Sequence, residues 1–232
     1  MENSENKSLI PTGTSNLAKS EKLLSITQKI LSEIKPQYES VKIGNQEWMT
    51  RNLDVDRFRN GDLIPHVESD EEWVKAGENG QPAWCYYDND PDNGKKYGKL
   101  YNWFAVSDPR GLAPERYHVP THVEWNILNK FLGNIGIAGH KMKSASGWNS
   151  REDEDGELQN GNGDNSSGFN GFPGGYRNVN VFLRLGGLGV WWSSTEDNGY
   201  EAGPLGLSSS SSNVGRYFDD KEYGLSVRCL KD

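Results

Sequence analysis

Two hydrophobic rhythms divide this chain. Leu17, Leu23, Leu24, Ile26, Ile30, Leu31 and Ile34 recur mostly at spacings of three, four and seven, which predicts an amphipathic helix over residues 15–35. Pro36 ends it, and the polar residues 1–14 before it read as disordered. From Val41 the runs shorten. Val41-Lys42-Ile43 and Gln46-Glu47-Trp48-Met49 flank Gly44-Asn45 as a hairpin. Residues 59–98 read mostly as loop, with a short helix at 69–76. Thr121-His122-Val123-Glu124 is a capping box, in which Thr and a Glu three residues on satisfy free N–H groups reciprocally. It opens a helix to about Leu132, with Trp125, Leu128, Phe131 and Leu132 on one face. Residues 133–172, rich in Gly, Asn, Ser and Asp, read as long loops. Short strands follow at about 176–183, 189–194, 204–210, 213–217 and 224–230.

This pattern divides the chain into a polar tail with a helix (1–40) and a main domain (41–232). One or two helices, short antiparallel sheets and long loops make the domain α+β. A lone helix is marginal in water. The apolar stripe over 15–35 must therefore bury on its own domain, in the seam of a homo-oligomer or as a docking segment on a partner.

At 232 residues the chain has room for one good-sized domain with an appendage. Its 27 Gly and 8 Trp suit a loop-rich fold with short strands. A net charge of −8 without a basic stripe argues against nucleic acid as a partner. No apolar run approaches the length of a membrane span. Met1-Glu2-Asn3-Ser4-Glu5 lacks the basic start and apolar segment of a secretory signal, so synthesis in the cytoplasm is expected. Two cysteines, Cys85 and Cys229, exclude a disulfide-built scaffold. They pair only if the fold brings them together; two buried free thiols are the expected state.

The most unusual composition lies near the C-terminus. Residues 178–190 and 197–220 together make 37 positions, of which only Glu201 is Lys, Glu, Gln, Met or Trp. The 37 residues from Val41 to Gly77 contain ten of these types. Random replacement of the adenines in AAC or AAT codons yields every residue type except those five and creates no stop. The depletion therefore points to a surface that varies on a constant scaffold, which is binding work. The run Ser208–Ser212 fits this reading as a strand or loop at a binding face, since apolar residues flank it inside the domain. A flexible linker is the alternative.

Other constellations carry less. Asp88-Asn89-Asp90-Pro91-Asp92-Asn93-Gly94 departs from an EF-hand in its late Gly, its Pro and Lys99 at position 12, so a solvated acidic turn is expected and Ca²⁺ is retained only in some other geometry. Arg151-Glu152-Asp153-Glu154-Asp155-Gly156-Glu157 reads as a solvated loop. His66, His118, His122 and His140 lack metal spacing, and His118 reads as a structural histidine. No cofactor and no catalytic set is expected.

An ordered series of segments carries a family resemblance. It runs through Asn45–Leu53 (NQEWMTRNL), Tyr97–Trp103 (YGKLYNW), Gly111–Pro114 and His118–Thr121 with Glu124-Trp125. It continues through Lys143-Ser144, Gly147-Trp148, Gly168-Phe169, Gly174–Arg177, Trp191–Glu196 and Gly224 with Ser226–Cys229. Together they resemble the Fibrobacter-type major paralogous domain over about residues 41–232. Arg116-Tyr117 stands where that family usually has Gly-Trp, which puts the local turn in question. The resemblance implies a C-type lectin-like fold near the formylglycine-generating-enzyme branch. That branch works through a cysteine pair on the segment that here runs Leu207–Arg216; the segment holds no Cys, and no enzyme activity is expected.

Diversity-generating retroelements use domains of this superfold as variable proteins, altered on one exposed C-terminal face. The resemblance implies that Tyr176, Trp191, Trp192 and Arg228 are framework. The variable positions are then expected to include Val179, Val181, Leu183, Leu188, Val190, Tyr200, Leu205, Ser208, Ser209, Ser210, Ser211, Gly215, Tyr217, Phe218 and Asp219. Val179, Val181, Phe182, Leu183 and Leu185 serve equally as buried strand residues. The expected partner is a protein or glycan on a target cell surface, with the chain displayed on a phage particle.

Overall fold

A computed structural model of the chain describes Lys22 and residues 38–152, 155–196, 201–216 and 219–232. The chain divides into two compact units, Met1–Tyr38 and Glu39–Asp232. Apart from Lys22, the helix expected over 15–35 lies outside the described residues.

The second unit is mixed α+β. Its strands are β1 (Ser40–Ile43), β2 (Gln46–Met49), β3 (Trp84–Cys85), β4 (Leu100–Tyr101), β5 (Tyr117–His118), β6 (Arg151–Glu152), β7 (Leu158–Gln159), β8 (Tyr176–Arg177) and β9 (Phe182–Leu183). They continue with β10 (Leu188–Trp191), β11 (Glu201–Ala202), β12 (Leu205–Ser208), β13 (Val214–Arg216), β14 (Asp219–Asp220) and β15 (Leu230–Lys231). Five helices stand among them: α1 (Asp70–Glu78), α2 (Pro91–Tyr97), α3 (Trp103–Val106), α4 (His122–Phe131) and α5 (Ile135–Met142).

That is more helix than one or two, and two helices fall where loops were expected. In α2, Asp90 caps the start and Pro91 supplies the first residue, so the acidic Asp88–Gly94 run is a 3₁₀ turn feeding a helix. Among the described residues no group of three or more His, Cys, Asp or Glu is placed to hold a metal. In α5, Gly136 and Gly139 lower intrinsic helix propensity. Tertiary contact requires the second: a Cβ at Gly139 would stand 2.6 Å from the Ser212 carbonyl oxygen.

The β1–β2 hairpin turns at Gly44, whose φ is 62°. It belongs to a four-stranded sheet of order β1-β2-β15-β5, in which Leu230 pairs with both Trp48 and His118. Arg116, before β5, adopts φ 68°, so the turn is kept by an arginine in the left-handed conformation that glycine takes more readily. The capping box of α4 is present in both directions. Trp125, Leu128 and Leu132 face the core, but Phe131 is 61% exposed and lies over the Gly44 turn, where a Cβ would come within 2.9 Å of its ring.

The core is a set of aromatic rings. Trp48 and Trp125 lie 4.6 Å apart, Phe169 meets both edge-on, and Trp191 meets Phe169 at 5.6 Å. Arg228 lies fully buried with its guanidinium 4.4 Å from the Phe169 ring. It donates to Asn52 Oδ1 at 2.7 Å, to the Met49 carbonyl at 3.0 Å and to the Phe169 carbonyl. Asn52 Oδ1 also accepts from Trp191 Nε1 at 2.8 Å, and its Nδ2 donates to the Tyr97 carbonyl at 2.8 Å. Burial pushes the guanidinium down to about 9, which still leaves it cationic at neutral pH. Cys85 and Cys229 are separate buried free thiols, each pushed up to about 12 by burial.

Arg228→Met leaves the Met49 and Phe169 carbonyls without their donor, and should lower unfolding free energy by about 3 kcal/mol or more in denaturant titration. His118 is hydrogen-bonded to Asp232 and Glu124, each at 2.8 Å. Burial opposes its protonation, but those two carboxylates outweigh it and hold the imidazole above its ordinary value. The stabilisation is full below the unfolded pKa of about 6.5 and is lost as pH rises through the raised folded value. His118→Gln should therefore lower the melting temperature more at about pH 5.5 than at about pH 9.

Candidate ligand-binding face

The three-stranded sheet β10-β12-β13 has two unlike faces. Its register pairs Leu188 with Ser208, Val190 with Gly206 and Gly206 with Gly215, so these side-chain positions share one side. Trp191 pairs with Leu205, and Leu207 with Val214, so these share the other. The second set, Trp191, Leu205, Leu207 and Val214, joins the tryptophan core. In the first set Leu188, Ser208 and Gly215 are half-buried on the outer side, while Val190 and Gly206 lie buried beneath them.

On that outer side lies a depression of about 460 Å³, lined by Tyr176, Arg184, Gly187, Leu188, Val190, Ser208, Ser209 and Ser210. Five of the residues expected to vary, Leu188, Val190, Ser208, Ser209 and Ser210, therefore converge on one cavity. Val190 is only 2% exposed and forms part of its base. Leu183 pairs with Tyr176 and shares that ring's side of the β8–β9 ribbon. Gly215 belongs to the outer face two strands from β10. Val179 and Val181 sit at the β8–β9 turn, where Asn178 Oδ1 accepts from the Val181 amide at 2.8 Å; Val181 is exposed and Val179 half-buried.

Leu205 is a correction. It is 3% exposed and packs in the core, because β12 alternates sides with period two and Leu205 is an odd number of residues from Ser208. Tyr200, Tyr217 and Phe218 lie outside the described residues, as does the side chain of Asp219, whose backbone in β14 pairs with Ala202 of β11.

The serine run is a tied turn between β12 and β13. Lys143, 3% exposed, donates to the carbonyls of Gly161 at 2.7 Å and of Ser208 and Ser211 at 3.1 Å each. The His140 amide donates to the Ser212 carbonyl at 3.2 Å, and the Ser209 amide to Gly187 at 2.9 Å. With its backbone held from α5 and from the β10 approach, the turn directs serine hydroxyls outward. Burial alone pushes the Lys143 ammonium below its ordinary value. Sequence pattern did not single out Lys143 as an anchor, nor Arg184 or Gly187 as lining residues. Tyr176 lines the cavity as well as belonging to the framework; its ring stacks on Tyr223 at 6.1 Å.

These features define a mixed α+β domain with a tryptophan-built core and one open, hydroxyl-lined sheet face. The chain belongs to the family described as the Fibrobacter succinogenes major domain, which matches residues 41–231. Neither curated proteins nor solved structures give a significant match. Among the described residues no helix is long and apolar enough to cross a membrane.

Lys143→Met should remove three carbonyl contacts, lower stability by about 1–3 kcal/mol and raise amide hydrogen exchange across Ser209–Asn213 while leaving β1 and β2 protected.

Proposed function

We propose that the chain is a diversified ligand-binding protein of a diversity-generating retroelement, built on a C-type lectin-like scaffold. The carrying observation is the convergence of Leu188, Val190, Ser208, Ser209 and Ser210 on one depression whose supporting sheet buries its other face in the core. A scaffold held from beneath lets outward side chains change without refolding, and rigidity limits the entropy lost on binding. The ligand is a protein or glycan on a target cell surface, and the natural setting is a phage receptor-binding component. Multivalent display through the N-terminal segment would convert weak single-site contacts into avidity. No catalysis is proposed. The two thiols are buried and un-ionised at neutral pH, and the segment Leu207–Arg216 has no cysteine.

One observation favours a second reading, a non-diversified interaction module of the same family. The depleted segment includes Leu205 and Leu207, which are core residues. There the depletion reflects a glycine-rich β region.

Genomic sequencing around the gene separates the two. Diversification predicts a near-copy of the segment encoding residues 176–229, beside a reverse transcriptase gene and differing only where the copy has adenine. Differences at the codons of Leu188, Ser208, Ser209 and Ser210, with none at Trp191 or Arg228, are expected. A copy altered evenly across core and surface codons, or no copy, would overturn diversification. On glycan and protein arrays, Leu188→Arg with Ser210→Arg should abolish capture with an unchanged melting temperature. Capture that survives would remove the ligand-binding assignment from this face.

A further inference from the structure

The outer-face depression carries positive charge in an acidic chain. Its described lining includes Arg184 and neither Asp nor Glu. Arg59, Arg110, Arg177 and Arg228 all donate to carbonyls or carboxylates within the fold. Arg184 is exposed, and while its carbonyl accepts from the Gly187 and Leu188 amides at 2.9 Å each, its guanidinium has no hydrogen bond or ion pair with any described residue. Its φ of 64° puts a long side chain in the left-handed region, where few residues other than glycine, asparagine and aspartate settle. Lys143 adds a second charge behind the serine turn. It is held by three carbonyls, lies 5.3 Å from the Trp148 ring, and has no carboxylate partner among the described residues.

The neutral groups narrow the ligand further. Ser208 Oγ and Ser210 Oγ lie 2.9 Å apart at the cavity wall. The neighbouring amides are already used: Ser209 N–H donates to the Gly187 carbonyl, Ser210 N–H to Ser208 Oγ, and Ser211 N–H to the Ser208 carbonyl. The turn therefore offers a peptide strand no free N–H from these three residues. It offers hydroxyls, which both donate and accept and so match a polyol. Tyr176 adds a half-buried ring beside them. The volume of about 460 Å³ falls in the range of small-ligand sites.

We propose that this depression takes a negatively charged saccharide, with Arg184 on its anionic group, the serine hydroxyls on its ring hydroxyls and Tyr176 against its ring. The assignment rests on the outer face being the ligand-binding face. A carboxylate and a sulfate share the required chemistry: Arg184 presents a planar fork of N–H donors that meets either one bidentately.

The test is calorimetric titration of the full chain with galacturonate, galactose 6-sulfate, galactose and a triglutamate peptide. At least one charged sugar should bind at least about tenfold more tightly than galactose, with a preference that shrinks as salt is added. The charged sugar that binds identifies the anion. Arg184→Gln should remove that preference without changing the melting temperature, and Arg184→Lys, which keeps the charge, should retain part of it. If Arg184→Gln fails to fold, the salt dependence and the lysine variant carry the decision. Equal binding of galactose and both charged sugars would overturn the anionic assignment and leave the ligand-binding face intact. Binding of triglutamate alone would overturn the saccharide assignment. No binding of any probe would overturn the ligand class altogether. The array experiment above then decides separately whether the face binds anything.

Discussion

The buried guanidinium of Arg228 ties the core of the domain together. Among the described residues Arg228 has no carboxylate partner; carbonyl oxygens of Met49 and Phe169, the Asn52 side chain and the Phe169 ring replace the water it gave up. That arrangement joins β2, the loop after it, the Phe169 segment and the C-terminal segment in one contact. Trp191 is tied to the same Asn52, so β10 is registered against the same point. The outer sheet face takes its position from this network. Moving the guanidinium would leave buried carbonyls unpaired and would displace the strand that carries Leu188 and Val190.

The second constraint is the pleat of β10-β12-β13. Side chains alternate strictly, so one set fills the core and the next looks out. The outer set includes small residues: Gly206 and Gly215 on one ladder rung, Ser208 beside Leu188. The depression lies over Leu188 and Val190, with Tyr176, Arg184, Gly187 and the serine turn around it. α5 is what keeps the turn in place, through the Gly139 approach and the Lys143 ammonium. Side chains at the face can therefore differ in size and charge while the backbone beneath them stays where the core puts it.

Much of the α+β character was readable directly. The hairpin at Gly44, the Thr121–Glu124 capping box and the short C-terminal strands are local signals, governed by turn chemistry, capping and alternation. Helix α5 was not readable, because its two glycines weaken the local signal and tertiary contact with the serine turn compensates. Phe131 follows the helical period of the α4 core face yet lies on the surface, since the core beside it is already filled by Leu128 and Leu132. Arg184 gave no signal, because a left-handed backbone and an unpaired guanidinium are properties of a folded turn.

The amino-acid sequence by itself determined the family motifs, the depleted C-terminal segments and the residue types available to the outer sheet face. These depend on composition and short-range spacing alone. Only the tertiary structure decided which of those residues look outward. A strand shows its period in sequence but not its phase: Leu205 and Ser208 take opposite sides because they are three residues apart, and the register against β10 decides that Leu205 joins Trp191 while Ser208 lies with Leu188.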